Sequence, residues 1–184
     1  MKKALLTVLV LGSAAAATAA PLSTTFTGPA VELGAGVSKT DVKNHNWDEK
    51  GKADLAIRGN YNFDYGQNWI GGVEAAYKPL SRTVGSSDNG DLKQRYDLSA
   101  SYIQGYRVAP DAMVYGKVGY HYGRFDNETT NTEFGANGLG YGLGAKYAVT
   151  PNVEVGAEWE QVRYKDGDDK ATNNSYMATV GYRF

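Results

Sequence analysis

Few side chains in this sequence have the types and spacing that enzymatic chemistry needs. The chain of 184 residues has no Cys, which excludes a thiolate nucleophile, a disulfide scaffold and a Cys-ligated metal site. Its two histidines, His45 and His121, lie outside HExxH and other metal-binding spacings. A serine hydrolase needs a serine that a histidine can deprotonate, and Tyr122 and Gly123, which follow His121, do not supply one. We therefore expect no catalytic residue, no cofactor and no metal, and we interpret His121 as a hydrogen-bonded residue inside the fold.

Two acidic residues could also act as a chemical pair. Glu158 and Glu160 are two positions apart, a spacing that could serve acid/base chemistry or cation binding. An unpaired buried charge is costly, so we expect both carboxylates to pair with cations inside the fold. The candidate partners are Arg58, Arg95, Lys117 and Lys146.

Four glycines recur with a period of two, and they are Gly138, Gly140, Gly142 and Gly144. This spacing differs from the dinucleotide-binding fingerprint. It places all four on one face of a strand, where the absence of a side chain makes room for long side chains from other strands.

The charge balance and the N-terminus indicate where the protein works. The chain has 19 basic and 20 acidic residues, which gives no basic surface for nucleic acid. Lys2 and Lys3 precede an apolar stretch over residues 4–11 and a small-residue site ending at Ala19, which is typical of a secretory signal peptide. We predict a signal peptide over residues 1–19 and a short periplasmic segment over residues 20–29.

From residue 30 onward, apolar residues alternate with polar ones, which indicates strands with two different faces. The pattern predicts eight strands, over residues 30–38, 53–63, 69–78, 95–106, 114–123, 139–147, 153–161 and 175–184. The connections alternate between long and short, as in outer-membrane barrels. We predict an all-β fold over residues 30–184, an eight-stranded antiparallel up-and-down transmembrane β-barrel in the bacterial outer membrane. Both termini would be periplasmic, and the long loops, near residues 39–52, 81–92, 124–137 and 164–174, would be extracellular.

Charge distinguishes the two faces of these strands. A Lys or Arg that faces lipid at the bilayer centre costs about 2–4 kcal/mol. In the chosen register one face has no charged residue, and Gln104 and Gln161 are its clearly polar side chains. The opposite face is expected to form a lumen charge network that fills a closed interior: Glu32, Asp54, Arg58, Glu74, Lys78, Arg95, Asp97, Lys117, His121, Lys146, Glu154, Glu158, Glu160 and Arg183.

Aromatic residues on the uncharged face supply an independent indication, because Tyr and Trp favour bilayer interfaces. The periplasmic girdle is predicted to contain Phe63, Trp69, Tyr106, Tyr147, Tyr182 and Phe184. The outer girdle is predicted to contain Tyr77, Tyr96, Tyr122, Tyr141, Trp159 and Tyr176.

The C-terminal run over residues 180–184, VGYRF, resembles the terminal signal that the barrel insertion machinery recognises, with Tyr182 and Phe184 as its aromatic positions. The runs over residues 114–125, 140–147, 151–155 and 158–161 are similar to strands five to seven of the OmpX/Ail group, in the wider OmpA-like and opacity-type superfamily. The similarity is best from about residue 95 to residue 184. It implies a monomeric barrel with outer-membrane lipid and lipopolysaccharide around it and, in some members, loops that bind host factors.

Three functions remain open from the sequence. The leading expectation is a non-enzymatic barrel of structural role in the envelope, with its surface loops as candidate contacts to a ligand on host or other cells. A narrow porin-like channel is the alternative, and a lipid A-modifying hydrolase or acyltransferase is the third. The long loops contain eight basic and eleven acidic residues, which differs from the cationic loops of an Ail-type adhesin.

Overall fold

The computed structural model describes residues 25–42, 51–79, 82–87, 90–127, 132–166 and 169–184. The predicted signal peptide and residues 20–24 lie outside the described residues, as does His45. The described strands are β1 (Gly28–Val42), β2 (Lys52–Gly66), β3 (Trp69–Lys78), β4 (Arg82–Ser87), β5 (Gly90–Ala109), β6 (Ala112–Asn127), β7 (Thr132–Ala148), β8 (Val153–Asp166) and β9 (Asp169–Arg183). Across the described ranges, no helix is long and apolar enough to cross a membrane.

The nine strands form one closed antiparallel sheet. Their order is β3-β2-β1-β9-β8-β7-β6-β5-β4, and a further pairing of β3 with β5 closes the barrel. Both β3 and β4 pair with β5, so they are two parts of one barrel strand. The prediction of an eight-stranded antiparallel barrel is confirmed.

A proline explains why this barrel strand has two parts. Pro79 follows β3 directly and has no N–H to donate to the sheet. Opposite this interruption, β5 has a bulge between Gln94 and Tyr96. A bulge adds one residue and changes the face on which the following side chains lie, and here the extra residue is Arg95.

The strands extend further toward the loop end than the sequence predicts. Most of the 81–92 segment, predicted as a long loop, belongs to β4 and the start of β5, and β6 and β7 pair as far as Asn127 and Thr132. β8 and β9 likewise pair as far as Asp166 and Asp169. The polar composition of these segments suggests loops, but antiparallel pairing continues through them. The connections are correspondingly shorter than expected.

Burial alternates along the strands with the predicted period of two. In β2, every second side chain from Asp54 to Asn62 is buried and the residues between them are exposed or half-buried. The exposed row includes Leu55 and Ile57, and the buried row includes Arg58. The barrel is therefore polar inside and apolar outside, the reverse of a water-soluble protein.

Candidate functional site

The barrel interior concentrates the charged residues and is the candidate site. Among the described residues, seven carboxylates and six Lys or Arg side chains are buried. They are Glu32, Asp54, Glu74, Asp97, Glu154, Glu158 and Glu160, with Arg58, Lys78, Arg107, Lys117, Lys146 and Arg183. The near-balance of charge allows the interior to be filled by ion pairs.

A pair that crosses the interior lies near its centre. Arg58 on β2 donates two hydrogen bonds to Glu158 on β8, from Nη2 to Oε1 at 2.8 Å and from Nη1 to Oε2 at 3.1 Å. Tyr115 on β6 donates its hydroxyl to the same carboxylate at 2.8 Å. The two ends of this pair come from strands that are not neighbours, so the contact ties opposite walls of the barrel.

Lys117 connects three carboxylates beside this pair. Its Nζ lies 2.9 Å from Glu158, 3.0 Å from Glu160 and 3.2 Å from Glu74. Lys78 contacts the other oxygen of Glu160 at 2.8 Å. Of the partners expected for Glu158 and Glu160, Arg58 and Lys117 contact them, whereas Lys146 lies in a different cluster.

His121 lies between two carboxylates toward the loop end. Its Nδ1 is 3.0 Å from Asp97 Oδ1, and its Nε2 is 3.5 Å from Glu160 Oε1, a distance longer than a normal hydrogen bond. Tyr164 donates to the other Asp97 oxygen at 2.6 Å. The ring is 0% exposed. A hydrolytic histidine needs a nucleophile and access to substrate, whereas this ring faces acids in a closed interior.

A second cluster lies near the chain termini. Lys146 pairs with Glu154 at 2.9 Å and contacts Glu32, which also accepts a hydrogen bond from Asn60. Arg183 donates to both oxygens of Glu154, each at 3.0 Å. These contacts tie β1, β7, β8 and β9 together at the seam where the first and last strands meet.

The prediction that Arg95 belongs to the interior is wrong. Its side chain is exposed, because the bulge in β5 turns it outward while Gln94 and Asp97 on either side remain buried. Arg107 supplies the sixth interior cation instead. Arg107 lies just beyond the predicted strand over residues 95–106, but it continues the inward row of β5, because it is four positions after the inward-facing Ile103.

The alternating glycines make room for inward side chains, as expected. A Cβ on Gly144 would lie 2.4 Å from the ring of Tyr115, and a Cβ on Gly140 would lie 2.5 Å from His121 Nε2. Both contacts are too close for a real side chain. The inward-facing Tyr115 and Tyr164 were not singled out in the sequence, although their parity places them on the charged face.

The ten predicted girdle aromatics other than Tyr182 and Phe184 all lie on the outward face. Each is exposed or half-buried: Phe63, Trp69, Tyr77, Tyr96, Tyr106, Tyr122, Tyr141, Tyr147, Trp159 and Tyr176. Trp69 and Tyr106 stack edge to face with centroids 5.0 Å apart near the terminal end, where Tyr182 and Phe184 also stack, 5.1 Å apart. The outer aromatics differ from the expected outer girdle in their position along the barrel axis. Tyr141, Trp159 and Tyr176 lie near the middle of their strands, because these strands extend further toward the loops.

The two outward glutamines have hydrogen-bond partners on the barrel surface. Gln104 donates to the carbonyl of Ile70 at 3.1 Å, and Gln161 donates to Asn174 Oδ1 at 2.8 Å. A polar group that faces lipid is tolerated when its hydrogen bonds are satisfied.

The ion pairs of the interior link the strands of the barrel to one another. Each cation with contacts described above faces at least one carboxylate, and the larger groups link several strands. Within the described ranges, no group of three His, Cys, Asp or Glu residues is placed to hold a metal ion.

Comparison with known proteins agrees with this geometry. A family model described as "Outer membrane protein beta-barrel domain" matches residues 4–184. "Outer membrane protein X" of Enterobacter cloacae is 30% identical over 133 residues, which is 67% of this chain and 71% of that protein. "Outer membrane protein X" of Escherichia coli strain K12 is 32% identical over 111 residues, 59% of this chain and 61% of that protein. The match thus spans about 61% of the length of the E. coli protein.

Solved structures share the fold. Neisserial surface protein A has a TM-score of 0.61 at 18% identity, covering 86% of this chain and 98% of that one. Ail of Yersinia pestis has a TM-score of 0.58 at 18% identity, covering 85% of this chain and 99% of that one. The predicted resemblance to the OmpX/Ail group is confirmed. The chain belongs to the outer membrane protein β-barrel family.

Proposed function

We propose that this protein is a structural component of the bacterial outer membrane, a monomeric barrel with a closed interior that holds its surface loops outside the cell. The observation that carries this proposal is the segregation of charge. The buried row of the barrel holds seven carboxylates and six Lys or Arg side chains among the described residues, and the exposed row is apolar over most of its length. Such a molecule is stable only when lipid covers its outer face.

The length of the strands supports an extension above the membrane. A strand crosses a bilayer in about 9–11 residues, whereas β5 has 20 residues and β7 has 17. The excess residues would lie in the lipopolysaccharide layer at the loop end. In this orientation both termini are periplasmic, and Phe184 is available to the barrel insertion machinery when the chain arrives.

The filled interior argues against the alternative function of a channel. An eight-stranded barrel has an interior just wide enough for its side chains to fill, and here Arg58, Lys117 and Glu158 meet at its centre. An ion path needs groups that can release their partners, whereas these groups are buried and bonded to one another. We therefore propose that the barrel does not conduct ions.

A planar-bilayer experiment separates the two functions. Purified protein inserted into a bilayer is expected to give no stable conductance steps. Stable steps that disappear in Glu158→Gln would overturn the closed-barrel proposal, since they would show that ions pass the central cluster. Steps that are unaffected by Glu158→Gln and Lys117→Met would indicate a contaminating porin. A control preparation from cells that lack the protein would then show the same steps.

The loops are the proposed site of contact with other cells, without a preference for sulfated polysaccharide. The Ail structure was solved in complex with the heparin analogue sucrose octasulfate. The corresponding segments here contain eight basic and eleven acidic residues, so repulsion of a polyanion is expected. The aromatic Trp47, a candidate anchor for a protein partner, lies outside the described residues.

A further inference from the structure

Phe26 precedes the first strand and yet lies inside the barrel. Its side chain is 1% exposed, and it belongs to one buried hydrophobic cluster with Ile70, Ile103, Met113 and Tyr115. Ile70 and Met113 are each the second residue of their strands, β3 and β6, at the end where the chain termini lie. An aromatic ring from outside the sheet therefore occupies the mouth of the barrel at this end.

Three buried donors hold the backbone of the same segment. Arg107 donates from Nε and Nη2 to the carbonyl of Thr25 at 3.0 and 2.9 Å. Asn62 donates from Nδ2 to the carbonyl of Phe26 at 3.0 Å. Arg107 is itself held by Asp64, 2.6 Å from its Nη1. The barrel wall thus supplies hydrogen-bond donors for the backbone of this segment and an apolar pocket for the ring of Phe26.

The conformation of Phe26 shows that its surroundings enforce the position. Its φ is 67°, in the left-handed region that non-glycine residues seldom adopt. Gly28, two residues later, has a φ of 85° and turns the chain into β1. A strained residue persists where its surroundings over-determine it, and here the buried ring and the two held carbonyls do so.

The layer above Phe26 is the ion-paired interior. Tyr115 is a member of the same buried cluster as Phe26, and it donates its hydroxyl to Glu158. The apolar cluster therefore lies between the mouth of the barrel and the central charges. Water that entered at this end would meet the ring of Phe26 before it reached Glu158.

We infer that residues 25–27 are a plug that seals the terminal mouth of the barrel against water, with Phe26 as its anchoring side chain. The plug keeps solvent from the charge network and so protects the central ion pairs from screening. The inference rests on the barrel geometry and not on the proposed envelope role, so it can fail while that role stands.

The absence of native Cys makes a thiol test direct. Met113→Cys places a single thiol at a position that is 1% exposed and belongs to the same buried cluster as Phe26, and Ile103→Cys is a second reporter in that cluster with the same exposure. The folded full chain in detergent is treated with a water-soluble maleimide, and labelling is measured only on the gel band of the folded protein in unheated samples. Pro151→Cys, in an exposed turn at the same end, gives the labelling rate of an open site.

Each reporter is then combined with Phe26→Ala and with Phe26→Gly. Both variants are expected to raise the labelling rate of the folded band by roughly tenfold or more, because local opening then exposes the thiol. The glycine variant removes the ring and also relieves the strained φ. Faster labelling in this variant therefore reports the loss of the ring and not strain in the backbone. Phe63→Ala removes a half-buried outward aromatic at the same end and is expected to leave labelling unchanged. Slow labelling of both reporters in folded Phe26→Gly would overturn the plug, as would fast labelling with Phe26 intact.

Discussion

Arg58 and Glu158 are 100 residues apart in the sequence and form a two-point ion pair across the barrel interior, with both side chains 1% exposed. Because β2 and β8 are not neighbours in the sheet, this pair holds opposite walls at a fixed distance. The pair also places Glu158 where Lys117 and Tyr115 reach it.

Removing one member of this pair should destabilise the barrel strongly. Glu158→Gln leaves Arg58 buried without its carboxylate, which typically costs about 3–5 kcal/mol. The free energy of unfolding in lipid vesicles, from urea titrations followed by Trp fluorescence, measures this loss. The matched control is Arg58→Met with Glu158→Leu, which removes both charges and should recover part of the stability. Equal urea midpoints for Glu158→Gln and the unaltered protein would show that the pair is not structural.

The lipid-facing row should reject charge at the bilayer centre. Leu143, 63% exposed on β7, lies between the aromatics Tyr141 and Tyr147, so Leu143→Arg should cost about 2–4 kcal/mol of folding free energy in vesicles. Leu139 is 64% exposed on the same strand, beyond Tyr141. Because it lies nearer the interface, Leu139→Arg should cost no more than about 1 kcal/mol. A similar cost at both positions would contradict the proposed depth of the strand.

Deletion of Phe184 should impair membrane insertion in cells more than it impairs stability. The ring is 72% exposed and contacts Tyr182, so little packing is lost with it. Its backbone N–H does donate to the Pro29 carbonyl at 3.0 Å, which predicts a small loss of stability. Surface levels in cells, compared with spontaneous folding into vesicles, separate the two effects. Normal surface levels of the truncated protein would show that Phe184 is not needed as an insertion signal.

The loops should not bind a sulfated polysaccharide. Heparin retention on a column at physiological salt is expected to be absent, because acidic residues outnumber basic ones in the loop segments. As a positive control, Asp88→Lys combined with Asp91→Lys adds cations to one predicted loop and should increase retention. Strong salt-sensitive retention of the unaltered protein would instead place an Ail-like ligand at the loops.

Much of the fold follows from alternation in the sequence. Neighbouring residues such as Ile57 and Arg58 lie on opposite faces of a strand, and charge distinguishes these faces, because lipid excludes charged side chains and the lumen accommodates them. The predicted inward orientation of Arg95 is wrong for a local reason. The bulge beside it follows from how β4 and β6 pair with β5, and no residue pattern in β5 indicates this bulge. Phe26 could not be found by periodicity, because it lies outside any strand and its position depends on a receptor assembled from β2, β3, β5 and β6.

The gel mobility of the protein in the outer-membrane fraction tests whether it is a closed barrel that resides in the outer membrane. Unheated and boiled samples are compared in SDS, because a closed barrel resists unfolding in detergent until it is heated. A closed outer-membrane barrel is expected in this fraction and is expected to migrate differently after boiling. Protein found in the periplasmic fraction, with the same mobility before and after boiling, would show that the chain is not a closed outer-membrane barrel.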